Sequence, residues 1–304
     1  MNKYLQLVSV GMPTYNRPEG LRKALECIMK QTYKNLEIIV SDNCSLNVEV
    51  ANIFLEFAEK DKRIKFFHQK RNEGSHFNFD FVLSKATGEY FMWAADDDEW
   101  EPLFIEMCLS ELNKAGKKYV ASIMEAQYFG TSKFDFFPEG EPFYNFYSEN
   151  TEERLAHILK YNYGNLYYSL FRRSVLFKNG KSIININSKS MNEIALFLSV
   201  ASCGNWKVIS KVGFYKHTNI VTYKQAKWEK VGGWRPGSLN LFYFLSLPSL
   251  WKYHKVTLKE IKIEISSLGV DVTHLKKMAK KIIWRHFYYF IVRHKPPYYK
   301  NKMK

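Results

Sequence analysis

The stretch Val8-Ser9-Val10-Gly11-Met12-Pro13-Thr14-Tyr15-Asn16-Arg17 decides how the chain is read. From Leu5 to Met12 its apolar residues are continuous rather than alternating, the mark of a strand buried on both faces. It gives way abruptly to Pro13 and four polar or aromatic residues. Residues 18–31 then carry Leu21, Ala24, Leu25 and Ile28 at helical spacing, and Leu36-Glu37-Ile38-Ile39-Val40-Ser41 returns to a buried strand. Strand, amphipathic helix and strand in succession mean two parallel strands joined by a crossover helix.

The alternation continues outward. A helix is expected over 49–60 with Ile53, Phe54 and Phe57 on one face, a short strand over 64–67, a helix over 78–85 closed by Thr87-Gly88, and a strand over 90–95. Pro102 near a first turn opens a helix over 102–112, because the N–H it lacks is not needed there. A strand over 118–127 follows. This is an α/β fold with a largely parallel sheet. Residues 129–150 read as loop, with Gly130, Pro138, Gly140 and Pro142. Beyond them come a helix over 152–159, a strand over 166–171, a helix over 193–202 ending at Gly204, and strand-like pieces at 207–209 and 213–216. Gly232-Gly233 marks a hinge within 230–236, and two helices are expected over 257–267 and 272–292.

The chain of 304 residues is 46% hydrophobic, which excludes a disordered tail, and its formal charge is +15. Residues 251–304 hold 14 Lys and Arg against 3 Asp and Glu, so the basicity is concentrated at that end. Cys27, Cys44, Cys108 and Cys203 form no Cys-x-x-Cys pair, which excludes a zinc ribbon and reads as reduced, buried thiols. No run reaches the roughly 18–20 apolar residues of a membrane span. The apolar pattern begins by Leu5 with no secretory leader pattern before it, so a cytoplasmic location is expected.

In an open parallel sheet, ligands gather beyond the carboxyl ends of the strands. Here those ends offer Pro13-Thr14-Tyr15-Asn16-Arg17, Asp42-Asn43, Arg71-Asn72-Glu73-Gly74 and Asp96-Asp97-Asp98. No glycine-rich phosphate loop is present. Three adjacent carboxylates repel one another in a dry site unless a cation neutralises them, which points to Mn²⁺ or Mg²⁺ bridging a diphosphate.

These four segments, with Asn78-Phe79 and the Trp93-Ala94-Ala95-Asp96-Asp97-Asp98 run before Pro102, resemble the family-2 glycosyltransferases, inverting enzymes of the GT-A fold, and among them a bacterial cell-surface subgroup. The resemblance spans residues 7–217 and is weakest over 129–162. It implies a Rossmann-like, mostly parallel sheet flanked by helices. It divides the chain into a catalytic domain over 1–229, with a nucleotide half at about 1–128 and an acceptor half over 129–229, and a basic helical extension over 230–304.

Residue by residue, the resemblance implies that Pro13, Tyr15, Asn16 and Arg17 line the nucleotide pocket. Asn43, Asn72, Gly74 and Asn78 belong to the same edge. Asp42 would accept the N3–H of a uracil, a reading that acceptor-only carboxylate chemistry supports; its rival is a turn or capping residue. Arg17 and Arg71 would meet phosphate, or else stand solvated at the surface. Counting back from Pro102 puts Asp97 on the metal position, Asp98 beside it and Asp96 near the ribose or donor sugar, with Ala95 where the family often has its first Asp. The rival is an acidic helix N-terminus. Counting back from Gly204 puts Glu193 on the position of the general base, or of a first-turn Glu that complements the helix dipole. His217 is a further candidate metal ligand.

The resemblance also implies a nucleotide-sugar donor, UDP-linked by preference, and a glycan or lipid-linked acceptor in polysaccharide or lipopolysaccharide assembly. Residues 272–304 are basic, aromatic-rich and amphipathic, which fits peripheral contact with the anionic inner face of the membrane, or equally a helix packed on the protein. No nucleic-acid module is visible. The rivals are nucleotidyl transfer to a sugar phosphate, which calls for a glycine-rich basic first loop, and a non-catalytic nucleotide-sugar-binding protein.

Overall fold

The continuous apolar segments become the centre of the molecule. In the computed structural model every residue of β1 (Val8–Thr14), β2 (Leu36–Asp42) and β4 (Tyr90–Trp93) is buried. The structure describes residues 6–129, 148–161, 164–184 and 193–217, and twelve helical residues between 259 and 280. Among these, α1 (Pro18–Met29) follows β1, α2 (Val48–Lys60) follows β2, and α3 (Ser75–Ser84) follows β3 (Ile64–His68). After β4 come β5 (Asp98–Trp100), α4 (Phe104–Ala115), β6 (Tyr119–Phe129), α5 (Thr151–Tyr161) and β7 (Leu170–Arg172). The hairpin β8 (Phe177–Lys178) and β9 (Lys181–Ser182), α6 (Glu193–Cys203) and β10 (Asn205–His217) complete the described elements.

Eight strands form one sheet in the order β3-β2-β1-β4-β7-β6-β10-β5. The pairs β1/β2, β1/β4, β2/β3 and β6/β10 are parallel, while β7 and the edge strand β5 run antiparallel to their neighbours. Gly11 is required in β1: a Cβ there would lie 2.7 Å from the Phe91 ring and 2.8 Å from Val82. Pro13 is tolerated in this central strand because the β4 ladder ends at Gly11, so no neighbour on that side needs its missing N–H.

Several expectations are corrected. The strand expected over 166–171 is a 3₁₀ turn, Gly164–Tyr168, followed by the short β7. The two pieces at 207–209 and 213–216 are one long strand, β10, with register shifts between Ile209 and Phe214. These bulges break its apolar pattern in sequence without ending its pairing. Pro102 stands before α4 rather than in it, with its carbonyl accepting the Thr32 N–H at 2.9 Å. β5 was not expected, because three residues are too short a run for periodicity to register. All four cysteines are free thiols, but only Cys108 is buried.

The chain clusters into two units, one of Met1–Glu149, Tyr163–Ser188 and Cys203–Val221, the other of Asn150–Asn162, Lys189–Ser202 and Thr222–Lys304. The first holds the sheet. In the second, α6 is buried almost all round, from Ile194 to Ala201, and the Arg154 guanidinium of α5 donates to the Ala201 carbonyl at 2.8 Å. Also in the second, the described residues of the two expected C-terminal helices are helical, with Ile261 and Ile265, and Leu275 and Ala279, buried at four-residue spacing. Most of the loop over 129–150, the hinge at 230–236 and the helix beyond residue 280 lie outside the described residues.

Candidate functional site

Strand β1 ends in Thr14, and β4 runs out into the aspartate run beside it. The Thr14 hydroxyl donates to Asp96 Oδ2 at 2.8 Å. One nitrogen of the Arg17 guanidinium donates to both Asp96 Oδ1, at 3.0 Å, and Asp97 Oδ2, at 2.7 Å. Burial pushes the Asp96 carboxyl up from its ordinary value, against the opposing pull of Arg17 and Thr14. Asp97 differs from it: its side chain is 43% exposed, against 7% for Asp96. Arg17 precedes the first turn of α1, and the backbone brings that turn into the run. A Cβ on Gly20 would lie 2.3 Å from the Asp96 carbonyl oxygen, so only glycine permits this approach.

Asp98 goes elsewhere. It opens β5, opposite Lys216 in the antiparallel register with β10, and Lys216 Nζ lies 3.0 Å from its carboxylate. The same ammonium sits 4.2 Å from the centroid of the Tyr168 ring, a cation–π contact. Asp98 is 2% exposed. The mutual repulsion of the three carboxylates is thus relieved by two protein cations, Arg17 on Asp96 and Asp97, and Lys216 on Asp98.

The loops after β2 and β3 are laced to each other and to β1. Asp42, 3% exposed, accepts from the Ser45 N–H at 3.0 Å and meets His68 Nδ1 at 2.9 Å. Asn16, at φ 54°, accepts the Leu46 N–H on Oδ1 at 2.8 Å, while its own N–H donates to Ser45 Oγ at 2.7 Å. Asn43 donates to Asn72 Oδ1 at 2.9 Å and accepts the Glu73 N–H at 3.0 Å. Gly74, at φ 88°, supplies the left-handed residue that starts α3. Asn78 is buried and donates to the carbonyls of Ser41 and Thr14, at 2.9 and 3.4 Å, across the mouth between β1 and β2. Its Oδ1 is buried without a hydrogen-bond partner among the described residues.

Five of the expected binding residues therefore shape the edge through bonds within the protein: Asn16, Asp42, Asn43, Asn72 and Asn78. Those whose side chains reach outward are Tyr15, 40% exposed, Arg17, Asp97 and Arg71, the last paired with Glu73 at 2.6 Å. Pro13 is buried in the strand. Thr14, Ser45, His68, Tyr168 and Lys216 were not expected. Thr14 was legible as the last residue of its strand. Lys216 reaches Asp98 from 118 positions away in sequence, through a sheet pairing that no local pattern shows, and Tyr168 is placed beside its ammonium.

Glu193 is the first residue of α6 and half-buried; it belongs to the second unit. His217 ends β10 opposite Phe129, and its side chain lies outside the described residues. Among the described residues no cluster of three or more His, Cys, Asp or Glu groups is arranged to hold a metal. A cation bound through one or two carboxylates and completed by substrate phosphates needs no such cage. Asp97 fits that use: its carboxylate is open to solvent, and the pair it forms with Asp96 already draws a cation, the Arg17 guanidinium.

Residues 9–177 match the family model described as "Glycosyl transferase family 2". An uncharacterized glycosyltransferase of Rickettsia felis is 36% identical over 119 residues, covering 39% of this chain and 19% of the relative. The GalNAc(5)-diNAcBac-PP-undecaprenol beta-1,3-glucosyltransferase of Campylobacter jejuni is 39% identical over 93 residues, 30% of each chain. The chain spans between about a sixth and just over a third of the length of the first curated relatives it matches. Staphylococcus aureus TarS, residues 1–349 in complex with UDP, superposes with a TM-score of 0.64 over 92% of this chain and 72% of that one, at 16% identity. At that identity the likeness is one of fold, the GT-A arrangement of a mostly parallel sheet flanked by helices. Since the family match runs from β1 through the aspartate run to β8, over more than half of the residues, the chain belongs to glycosyl transferase family 2.

Proposed function

We propose that the protein transfers a sugar, with inversion and with a divalent cation, from a nucleoside diphosphate sugar to a glycan or lipid-linked acceptor of a cell-surface polysaccharide. The observation that carries this reading is the Thr14–Asp96–Asp97–Arg17 constellation at the carboxyl ends of β1 and β4, where an open sheet receives its ligand. UDP is the favoured carrier. TarS has been solved with UDP and with UDP-GlcNAc, and the acceptor-only carboxylate of Asp42 at the end of β2 suits a uracil N3–H that takes the place of a bond from Ser45 or His68. The name of the Campylobacter relative, with its undecaprenol-linked substrate, supports a lipid-linked acceptor.

In this reading Tyr15 and the Asp42 end of β2 border the base, and Arg17 and Arg71 face the phosphates. Asp96 lies towards the ribose. Asp97, with Asp98 and His217 as further candidates, holds Mn²⁺ or Mg²⁺. That ion would offset the charge that builds on the departing diphosphate. Glu193 takes the proton from the acceptor hydroxyl as it attacks the anomeric carbon. The basic segment over 272–304 would lie against an anionic membrane surface. Burial of Leu275 and Ala279 leaves the exposed Lys277 and Lys280 for that contact.

Thermal unfolding of the full chain with UDP, GDP, dTDP or CMP, each with Mn²⁺, Mg²⁺ or EDTA, tests the reading. A ligand at 100 times its Kd stabilises the folded state by about 2.7 kcal/mol. A rise in Tm with one nucleotide, lost with EDTA or in Asp97→Asn, is the expected result. No rise with any pair overturns the site. Glu193→Gln should keep that rise and lose turnover by about 10²–10⁴-fold; undiminished turnover moves the base elsewhere.

A further inference from the structure

The Arg17 guanidinium stands where the proposed cation has to act. A single nitrogen bridges both carboxylates, at 3.0 and 2.7 Å. The second oxygen of Asp96 is held by Thr14, so the pair is already fixed in place before any ligand arrives. The clasp is built by the main chain, because the close approach of Gly20 to the Asp96 carbonyl brings the start of α1 against the run. Yet the clasp itself is not buried. The Arg17 side chain is 56% exposed and leaves the chain at the residue before α1, where its rotamers can carry the guanidinium outward while the backbone stays still.

Charge decides what such a clasp does. Asp96, Asp97 and Arg17 together carry one net negative charge when the carboxylates are ionised. A bare dication approaching Asp97 must crowd against the guanidinium or drive it into water, and both cost free energy at contact distance. A dication arriving with a diphosphate brings its own anionic oxygens, and a guanidinium binds phosphate oxygens as readily as carboxylate. From the clasp and this balance, we infer that Arg17 is a resident counter-cation, exchanged from Asp96 and Asp97 onto the diphosphate when the metal and nucleotide bind together. This inference rests on the nucleotide-diphosphate reading of the site. It makes Arg17 a residue that couples the two ligands: the protein takes the metal poorly alone and well with its nucleotide.

The test is Mn²⁺ binding to the full chain, followed by the electron paramagnetic resonance signal of the free ion, with and without UDP. In the native protein UDP should tighten Mn²⁺ binding, and by reciprocity Mn²⁺ should tighten UDP binding by the same factor. Arg17→Gln removes the competitor and the phosphate partner at once. It should bind Mn²⁺ alone about tenfold more tightly than the native protein, and should bind Mn²⁺ with UDP about tenfold more weakly, so that the coupling collapses. Arg17→Lys keeps a cation on the site and should retain part of the coupling. Melting curves without ligand check that both variants are folded. If Arg17→Gln binds Mn²⁺ alone no more tightly than the native protein, Arg17 is not a competitor and the inference fails while the site stands. If the native protein binds no Mn²⁺ even with UDP, both readings fall together.

Discussion

Two buried carboxylates stand at opposite edges of the same sheet, and the sheet treats them in opposite ways. Glu37, near the start of β2, accepts from the Ser9 hydroxyl, from the Thr87 N–H and hydroxyl at 2.6 and 2.8 Å, and from the Gly88 N–H at 3.2 Å. Lys65 on β3 adds an ion pair at 2.8 Å. Burial alone would raise this carboxyl, but Lys65, Ser9 and Thr87 outweigh it and hold it at about 2. Asp96, past the end of β4, has Thr14 and one guanidinium, and there burial wins. The amino edge ties three strands and a turn together around a satisfied charge. The carboxyl edge keeps a charge under tension, as an edge that must exchange partners with a ligand does.

The largest expected effect comes from loosening the strained edge alone. In Gly20→Ala the new Cβ meets the Asp96 carbonyl, so the first turn of α1 must shift and take Arg17 with it. A misplacement of about 1 Å in a catalytic constellation costs on the order of 10²-fold in rate. Turnover of a purified variant that still melts cooperatively should therefore fall about that far. Turnover within twofold of the native value would show that the clasp tolerates slack, and the contrast between the edges would weaken.

The next effect sharpens the contrast, because the two carboxylates should move stability in opposite directions. A carboxyl held at about 2 in the folded protein, against an ordinary 4.5, lends stability that is complete above pH 4.5 and is lost as the pH falls towards 2. Glu37→Gln should lower stability at pH 7 by about 2–3 kcal/mol, flatten the acid limb of a urea midpoint against pH, and leave turnover per folded molecule unchanged. Asp96 has the opposite sign. Its raised folded value means that its contribution is present below the ordinary carboxyl range and is lost as the pH climbs through the folded value. Asp96→Asn should raise the urea midpoint at pH 7 while turnover falls, the usual trade of a functional charge against stability. If both variants destabilise equally, the two edges differ in position only.

The same contrast explains how much could be read from the chain itself. The parallel α/β core was legible, because strands buried on both faces leave unbroken apolar runs such as those before Thr14 and after Asn35. The four strand ends were legible too, since each run breaks into polar residues where its strand stops. What Asn16, Asp42, Asn43 and Asn78 do there was not. Their residue types suit ligand and loop equally, and their partners lie at Ser45, His68, Asn72 and Ser41, mostly some 30 positions off. The three aspartates read as one cluster in sequence. A short strand that pairs Asp98 with Lys216, 118 positions away, divides them. A pairing of this length leaves no local periodicity to detect.

Arg71 carries the smallest effect and separates the two meanings of an exposed cation at the active edge. Its side chain is 79% exposed and its neighbour in charge is Glu73, two residues on. An exposed ion pair of this kind adds almost nothing to stability. Arg71→Ala should leave the melting curve of the free protein where it was. If the guanidinium turns to the diphosphate, the variant should bind metal-bound UDP about threefold more weakly at low salt, with the difference shrinking as ionic strength rises and the charges are screened. Equal affinity at all salt concentrations would place Arg71 outside the phosphate site. The carboxyl edge would then meet its ligand through Arg17 and the buried aspartate behind it, and its contrast with Glu37 would rest on that one clasp.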